Sequence, residues 1–374
     1  MQGHRLADAF DGRSSVHGGG ALAHDARAAD VREHGSSVHR KFTKSSQGEA
    51  MNVSQQPNVP PVDRPLASWR PLDATSEAPD IWAVAGGKGG VGKSVVAANL
   101  AVAVARRGLR CLLIDADLGG GNQHTLFGVE APRVTLEAFL QGDEKELSKV
   151  ATATRFHGLS LVYASSDAVG SANPKHSQKQ KFIRHFKRAD ADVVILDLGA
   201  GTSFNTLDLF LSARVQLVVT TPELTAIQNA YGFIKCASMR AKASDALQAC
   251  APRLVANACD EEGANRVFRA LRSVTSAFLA AEPLALGFVR KDPAMPTSVE
   301  RGVPVLALSP SSVSSRDLDR IAQMQLEERF TPPAEIAYDN TVARGLNEEL
   351  RVMERLYHVQ TEDLGSEKRQ IRTQ

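Results

Sequence analysis

Residues 86–94 read Gly-Gly-Lys-Gly-Gly-Val-Gly-Lys-Ser, set between an apolar run at 81–85 (Ile-Trp-Ala-Val-Ala) and a helix-forming stretch at 95–107. A strand, a glycine-rich loop and a helix in that order make a cradle for phosphate, because unpaired backbone N–H groups and the positive end of the helix point into the loop. Gly87, Gly92, Lys93 and Ser94 stand at the fixed positions of a phosphate-binding loop, with Gly89, Gly90 and Val91 completing its backbone. In such a loop the lysine reaches the terminal phosphates and the hydroxyl ligates magnesium. A glycine-rich turn with no ligand is the alternative, and the strand and helix on either side weigh against it. Lys93 is expected to sit exposed, contributing little to a core.

The chain has 374 residues, 43% of them hydrophobic, enough for one large α/β core or two small ones. One core is expected, because residues 1–80 look unfit to join it. Residues 1–50 hold His4, His17, His24, His34 and His39 among Ser, Gly, Ala and mixed charge, without periodic apolar pattern. Their spacing does not suggest metal ligands. Met51 offers an alternative start and opens a proline-rich lead-in (Pro57, Pro60, Pro61, Pro65, Pro71, Pro79). The organisation expected is a disordered tail and lead-in over 1–80, a nucleotide-binding domain over 81–330, and a C-terminal helix with a charged tail over 331–374.

The net charge of +2 does not by itself point to nucleic acid or anionic lipid. Cys111, Cys236, Cys250 and Cys259 lie far apart with no Cys-x-x-Cys pair, which reads as reduced thiols. No apolar stretch has the length of about 18 residues that a span requires, and there is no hydrophobic signal core. A cytoplasmic protein is expected.

After residue 80, β-rich apolar runs at 81–85, 111–114, 159–163, 193–196, 215–220, 254–256 and 284–289 alternate with helical patterns. This predicts an α/β fold, a mainly parallel twisted sheet with helices on both faces. Ligands gather at the carboxyl ends of such strands. The second run ends in Asp115-Ala116-Asp117-Leu118 and then Gly119, Gly120, Gly121 and Asn122, an acidic pair followed by a pliable loop. Capping of a turn is the alternative for the two aspartates. The fourth run ends in Asp197 followed by Leu198-Gly199-Ala200-Gly201. A carboxylate there is costly unless partnered, and magnesium at the phosphate loop provides a partner. Thr221-Pro222-Glu223 reads as a helix start with Thr221 as N-cap.

Lys88 adds a second lysine to the loop, and Lys-Gly-Gly-Val-Gly-Lys-Ser is the deviant Walker A form. On these residues, and on the two aspartate-glycine segments, the chain resembles the MinD/ParA superfamily of ATPases over roughly residues 80–310. The Asp-Leu-Gly-Ala-Gly wording at 197–201 is nearest the FleN/FlhG branch, which controls flagellar number. The resemblance implies binding of ATP with Mg2+, an ATP-dependent homodimer, slow hydrolysis, and a protein partner that stimulates it. It implies that Lys88 reaches the nucleotide of the partner subunit, that Lys93 neutralises phosphate charge, and that Asp117 positions the attacking water. Ser94 and Asp197 would hold the metal, Gly199 would belong to the second switch, and Asn257 would read the adenine edge. For Lys88 a solvated loop lysine is the alternative, and for Asn257 a turn asparagine. Arg290, Lys291 and Asp292 match a loop that closes over the nucleotide.

Residues 175–188 form the most basic segment. It has the charge to touch DNA phosphates or acidic lipid, but Phe182, Ile183 and Phe186 at helical spacing favour a helix with its apolar side on the sheet and its basic side in water. Residues 340–357 also have helical periodicity, with balanced charge unlike a basic membrane anchor. A Mrp-type iron–sulfur scaffold would need paired cysteines, and a bacterial tyrosine kinase would end in a tyrosine cluster, whereas only Tyr338 and Tyr357 lie beyond residue 310. Partition of chromosomes or plasmids, and a nucleotide-gated binding module with negligible hydrolysis, remain the alternatives to a flagellar or cell-organising switch.

Overall fold

A computed structural model describes residues 78–118, 120–129, 134–164, 174–244, 247–279 and 282–328. The readings of 1–77, of Gly119 and of the stretch 340–357 lie outside the described residues. Each of the seven apolar runs is a strand: β1 (Asp80–Ala85), β2 (Cys111–Ala116), β4 (Leu159–Val162), β5 (Val193–Leu198), β6 (Val215–Thr220), β7 (Pro252–Asn257) and β8 (Leu284–Val289). An eighth, the three-residue β3 (Ala151–Ala153), was not foreseen, being too short and too exposed to carry an apolar run. The strand order is β3-β4-β2-β5-β1-β6-β7-β8, parallel throughout except where β3 runs antiparallel to β4 at the edge.

Strand alternation sends successive side chains of β1 to opposite faces. Ile81, Ala83 and Ala85 join a core with α3 (Leu136–Gln141), α4 (His176–Phe186), α5 (Phe204–Leu211), α6 (Leu224–Lys242) and α7 (Glu261–Leu279). Trp82 and Val84 face α1 (Lys93–Arg106), α9 (Val305–Leu308) and α10 (Val313–Glu328). Helix α1 is buried nearly all round, which explains its Ala- and Val-rich composition. Two short helices, α2 (Gln123–Leu126) and α8 (Ala294–Glu300), complete the set. Among the described residues no helix is long and apolar enough to cross a membrane.

Two sequence expectations need correction. Helix α6 starts at Leu224 with Glu223, not Thr221, in the N-cap position, and no side chain caps it. The basic side of α4 is not wholly in water: Lys179 is buried and ion-paired with Asp208 of α5. An unpaired ammonium could not be buried there, and Asp208 supplies its counter-charge.

Candidate nucleotide site

The phosphate loop joins β1 to α1 at the carboxyl edge of the sheet. Gly92 has φ 92°, in the left-handed region, and a Cβ there would lie 2.2 Å from Asn257 Nδ2, so glycine is required on both counts. The Asn257 amide at the end of β7 donates to the Val91 carbonyl at 2.9 Å, bracing the loop. One N–H of Nδ2 is so engaged, which leaves the second N–H and Oδ1 of Asn257 for a base. Val91 is buried, Gly89 and Gly90 are exposed at the loop tip, and Gly87 backs onto α6 at Asn229. Lys93, expected to be exposed, is 8% exposed: as the first residue of α1 it turns inward beneath the loop.

Lys88 lies on the rim. Its Nζ donates to Glu223 Oε2 at 2.8 Å and to Thr225 Oγ1 at 3.0 Å, both of the same chain. This accounts for the uncapped start of α6, since the Glu223 carboxylate faces the lysine rather than the helix amides.

The acidic centre sits below the loop, where β2 and β5 end side by side with Asp115 in register with Asp197. Both are buried, and Asp197 Oδ1 has no hydrogen-bond partner. Burial raises the Asp197 carboxyl to about 6, even though the Gln123 bond, the Ser94 hydroxyl alongside and the Lys93 charge all lower it. Burial, then the Asp197 charge, push Asp115 well above the usual carboxylate range, against bonds donated by the Gln123 and Asp117 backbone amides. Asp117 lies farther out, closely packed on the second glycine loop: a Cβ on Gly199 would meet Asp117 Oδ1 at 2.7 Å. The two loops therefore touch, and a side chain at 199 would push the Asp117 carboxyl aside. Ser94, Lys93, Asp115, Asp117, Gly199 and Asp197 thus converge on one site.

Sequence reasoning missed Gln123. Its side chain is fully buried and its Nε2 donates to Asp197 Oδ2 at 2.8 Å and to the Ser94 carbonyl at 3.0 Å. The available signal was a glutamine in the helix that follows the glycines, ahead of the apolar pair Leu126 and Phe127, where a polar side chain needs a partner. In the loop at 290–292 Arg290 pairs with Asp317, and Asp292 accepts from the Ala294 and Ser314 amides near the starts of α8 and α10.

An undonated buried carboxylate oxygen next to a serine at a helix start suits a hydrated divalent ion, whose charge and bound waters provide what Asp197 lacks. The donor set of oxygens fits magnesium.

Residues 77–325 match the ParA family, described as "NUBPL iron-transfer P-loop NTPase". Antiactivator FleN of Pseudomonas aeruginosa is 31% identical over 245 residues, covering 64% of this chain and 84% of that protein. An iron-sulfur cluster carrier protein of Mycobacterium tuberculosis is 29% identical over 250 residues, 65% of this chain, and the match spans only 63% of the carrier's own length. Among solved structures, the septum site-determining protein MinD of Pyrococcus horikoshii, complexed with Mg-ADP, aligns with a TM-score of 0.55 at 23% identity, over 69% of this chain and 99% of that one. That last likeness concerns the fold.

Proposed function

The chain belongs to the ParA/MinD family of P-loop NTPases, and from that premise we propose that it binds ATP with magnesium, dimerises on ATP and hydrolyses it slowly, as a positioning or regulatory switch. The observation that carries the reading is the buried, undonated Asp197 Oδ1 beside Ser94 and Lys93 at the phosphate loop. Ser94 and Asp197 would hold the metal, which when bound neutralises phosphate charge. Lys93 faces the terminal phosphates, Asn257 Oδ1 accepts from the adenine amino group, and Asp117 orients the attacking water where the two switch loops meet.

Lys88 acts in the dimer as the deviant Walker A lysine. Its pair with Glu223 is exposed, with side-chain exposures of 37% and 66%, and such a pair contributes less than about 1 kcal/mol. A partner's phosphates, shielded from water in a closed dimer, outcompete it. The Glu223 contact is then the resting place of a lysine that leaves on dimerisation, and a protein partner that stimulates hydrolysis would act on the closed state.

FleN, matched over most of its length, favours a flagellar or cell-organising role over DNA partition. Carriage of an iron–sulfur cluster is disfavoured by the thiols. Cys111, Cys236, Cys250 and Cys259 form no close pair in sequence, and Cys111 and Cys259 are buried.

Turnover of ATP by wild type and by Asp117→Ala tests the reading. Slow phosphate release by wild type and its loss, by at least about 100-fold, in a variant that still binds ATP is expected. Equal, negligible release by both would favour the binding module without hydrolysis.

A further inference from the structure

Gln123 opens α2, directly after the first glycine loop, and two of its groups make three bonds to three different segments. Its backbone N–H donates to Asp115 Oδ2 at 3.0 Å, and its Nε2 donates both to Asp197 Oδ2 at 2.8 Å and to the Ser94 carbonyl at 3.0 Å. The amide cannot be turned over. Flipping it would set Oε1 against a carboxylate oxygen and a carbonyl oxygen, neither of which donates. Its orientation is therefore fixed by its partners, and Oε1 is left buried with no hydrogen-bond partner. Asp197 Oδ1 is in the same condition. The two orphaned acceptors belong to side chains joined by one hydrogen bond and lie at most about 8 Å apart by bond geometry. Buried acceptors are almost always donated to, so each of the two calls for a donor from outside the pair.

Resting on the nucleotide–magnesium reading above, we propose that Gln123 is a positioning residue for the metal: it orients Asp197 through Nε2 and accepts, through Oε1, a hydrogen bond from a metal-bound water. It links the metal to the first switch loop, to the phosphate-loop helix at Ser94 and to the end of β5. Partners of this kind, one shell out from a metal, typically change metal affinity by about 10–100-fold when removed. Methionine matches glutamine in length without donating or accepting at its tip.

The test is ADP affinity measured calorimetrically with Mg2+ and with EDTA, for wild type and Gln123→Met. Wild type should bind ADP more tightly with Mg2+. In Gln123→Met that gain should shrink by about 10-fold while affinity in EDTA stays the same. A folded Gln123→Met with the full gain would overturn the assignment and leave a buried water as the guest. A wild type indifferent to Mg2+ would overturn the nucleotide–magnesium reading along with it. A second measurement needs no substitution: in wild type labelled with 15N-glutamine, Mn2+ with ADP should broaden the Gln123 side-chain amide resonances beyond detection. Their survival would contradict the proposal even if Gln123→Met fails to fold.

Discussion

Asp80 and Asp197 lie in adjacent, paired strands, at opposite ends of the sheet, and both are buried. Asp80 accepts from Arg214 Nε at 2.7 Å and from Trp82 Nε1 at 2.8 Å, with a second Arg214 nitrogen on its other oxygen. Asp208, in α5, is held in the same manner by Lys179 and by Arg240, whose Nε lies at 2.7 Å. Burial raises the Asp208 carboxyl, but Arg240 and Lys179 outweigh it and hold it below its ordinary value. Asp197 has one donated bond and an empty oxygen, and its carboxyl rises to about 6. Away from the loop, the fold completes its buried acids. Beneath the loop it leaves Asp197 wanting, and that deficit is the mark of a site made for a cation.

The contrast breaks first at Asp208. Asp208→Ala leaves Lys179 buried without a counter-charge and should cost about 3–5 kcal/mol in urea unfolding. A loss below about 1 kcal/mol would mean that the completed acids are not structural.

Asp197→Asn should go the other way. The folded Asp197 carboxyl keeps its proton to about pH 6, above the unfolded value near 4. Wild type without nucleotide therefore loses stability as pH rises from about 4 through about 6, and at pH 7 the variant should be more stable by about 1–3 kcal/mol. It should also lose the increase in Tm that Mg2+ with ADP gives wild type. Destabilisation at pH 7, or an intact Mg2+ response, would show Asp197 to be an ordinary structural acid.

The smallest effect sharpens the comparison from the opposite side. Burial raises the Asp292 carboxyl, but bonds donated by Ser314, Ala294 and Ser312 bring it down to about 2. Its stabilisation is present above about pH 4 and is lost as pH falls toward 2. Asp292→Asn should cost about 1 kcal/mol at pH 7, the size of a lost helix cap, discounted for screening by nearby water. A thermal melt at pH 7 and at pH 3 should show the difference between variant and wild type narrowing at the lower pH.

The sheet, the loop and the two aspartate segments were legible because each joins a local pattern to a local rule: an apolar run, then glycines, then a charged or hydroxyl residue. Residues whose roles come from distant partners were not. Gln123 meets Asp197 across 74 positions, and Lys88 meets Glu223 across 135. Lys179 belonged to a basic run, and only the packing of α4 against α5 reveals its buried partner. The sequence pattern placed the cap of α6 at Thr221, and it lost to a long-range ion pair that drew Glu223 to Lys88. Helix α10 lies beyond the span of the motifs, yet it closes the core over α1.

The central claim is that Lys88 exchanges its own chain's Glu223 for a partner's nucleotide. Light scattering after size exclusion, with ATP and Mg2+ in an Asp117→Ala background, tests it most directly. That parent should elute as a dimer, and Lys88→Ala in the same background should bind ATP yet remain a monomer. A dimer of undiminished stability without Lys88 would contradict the account.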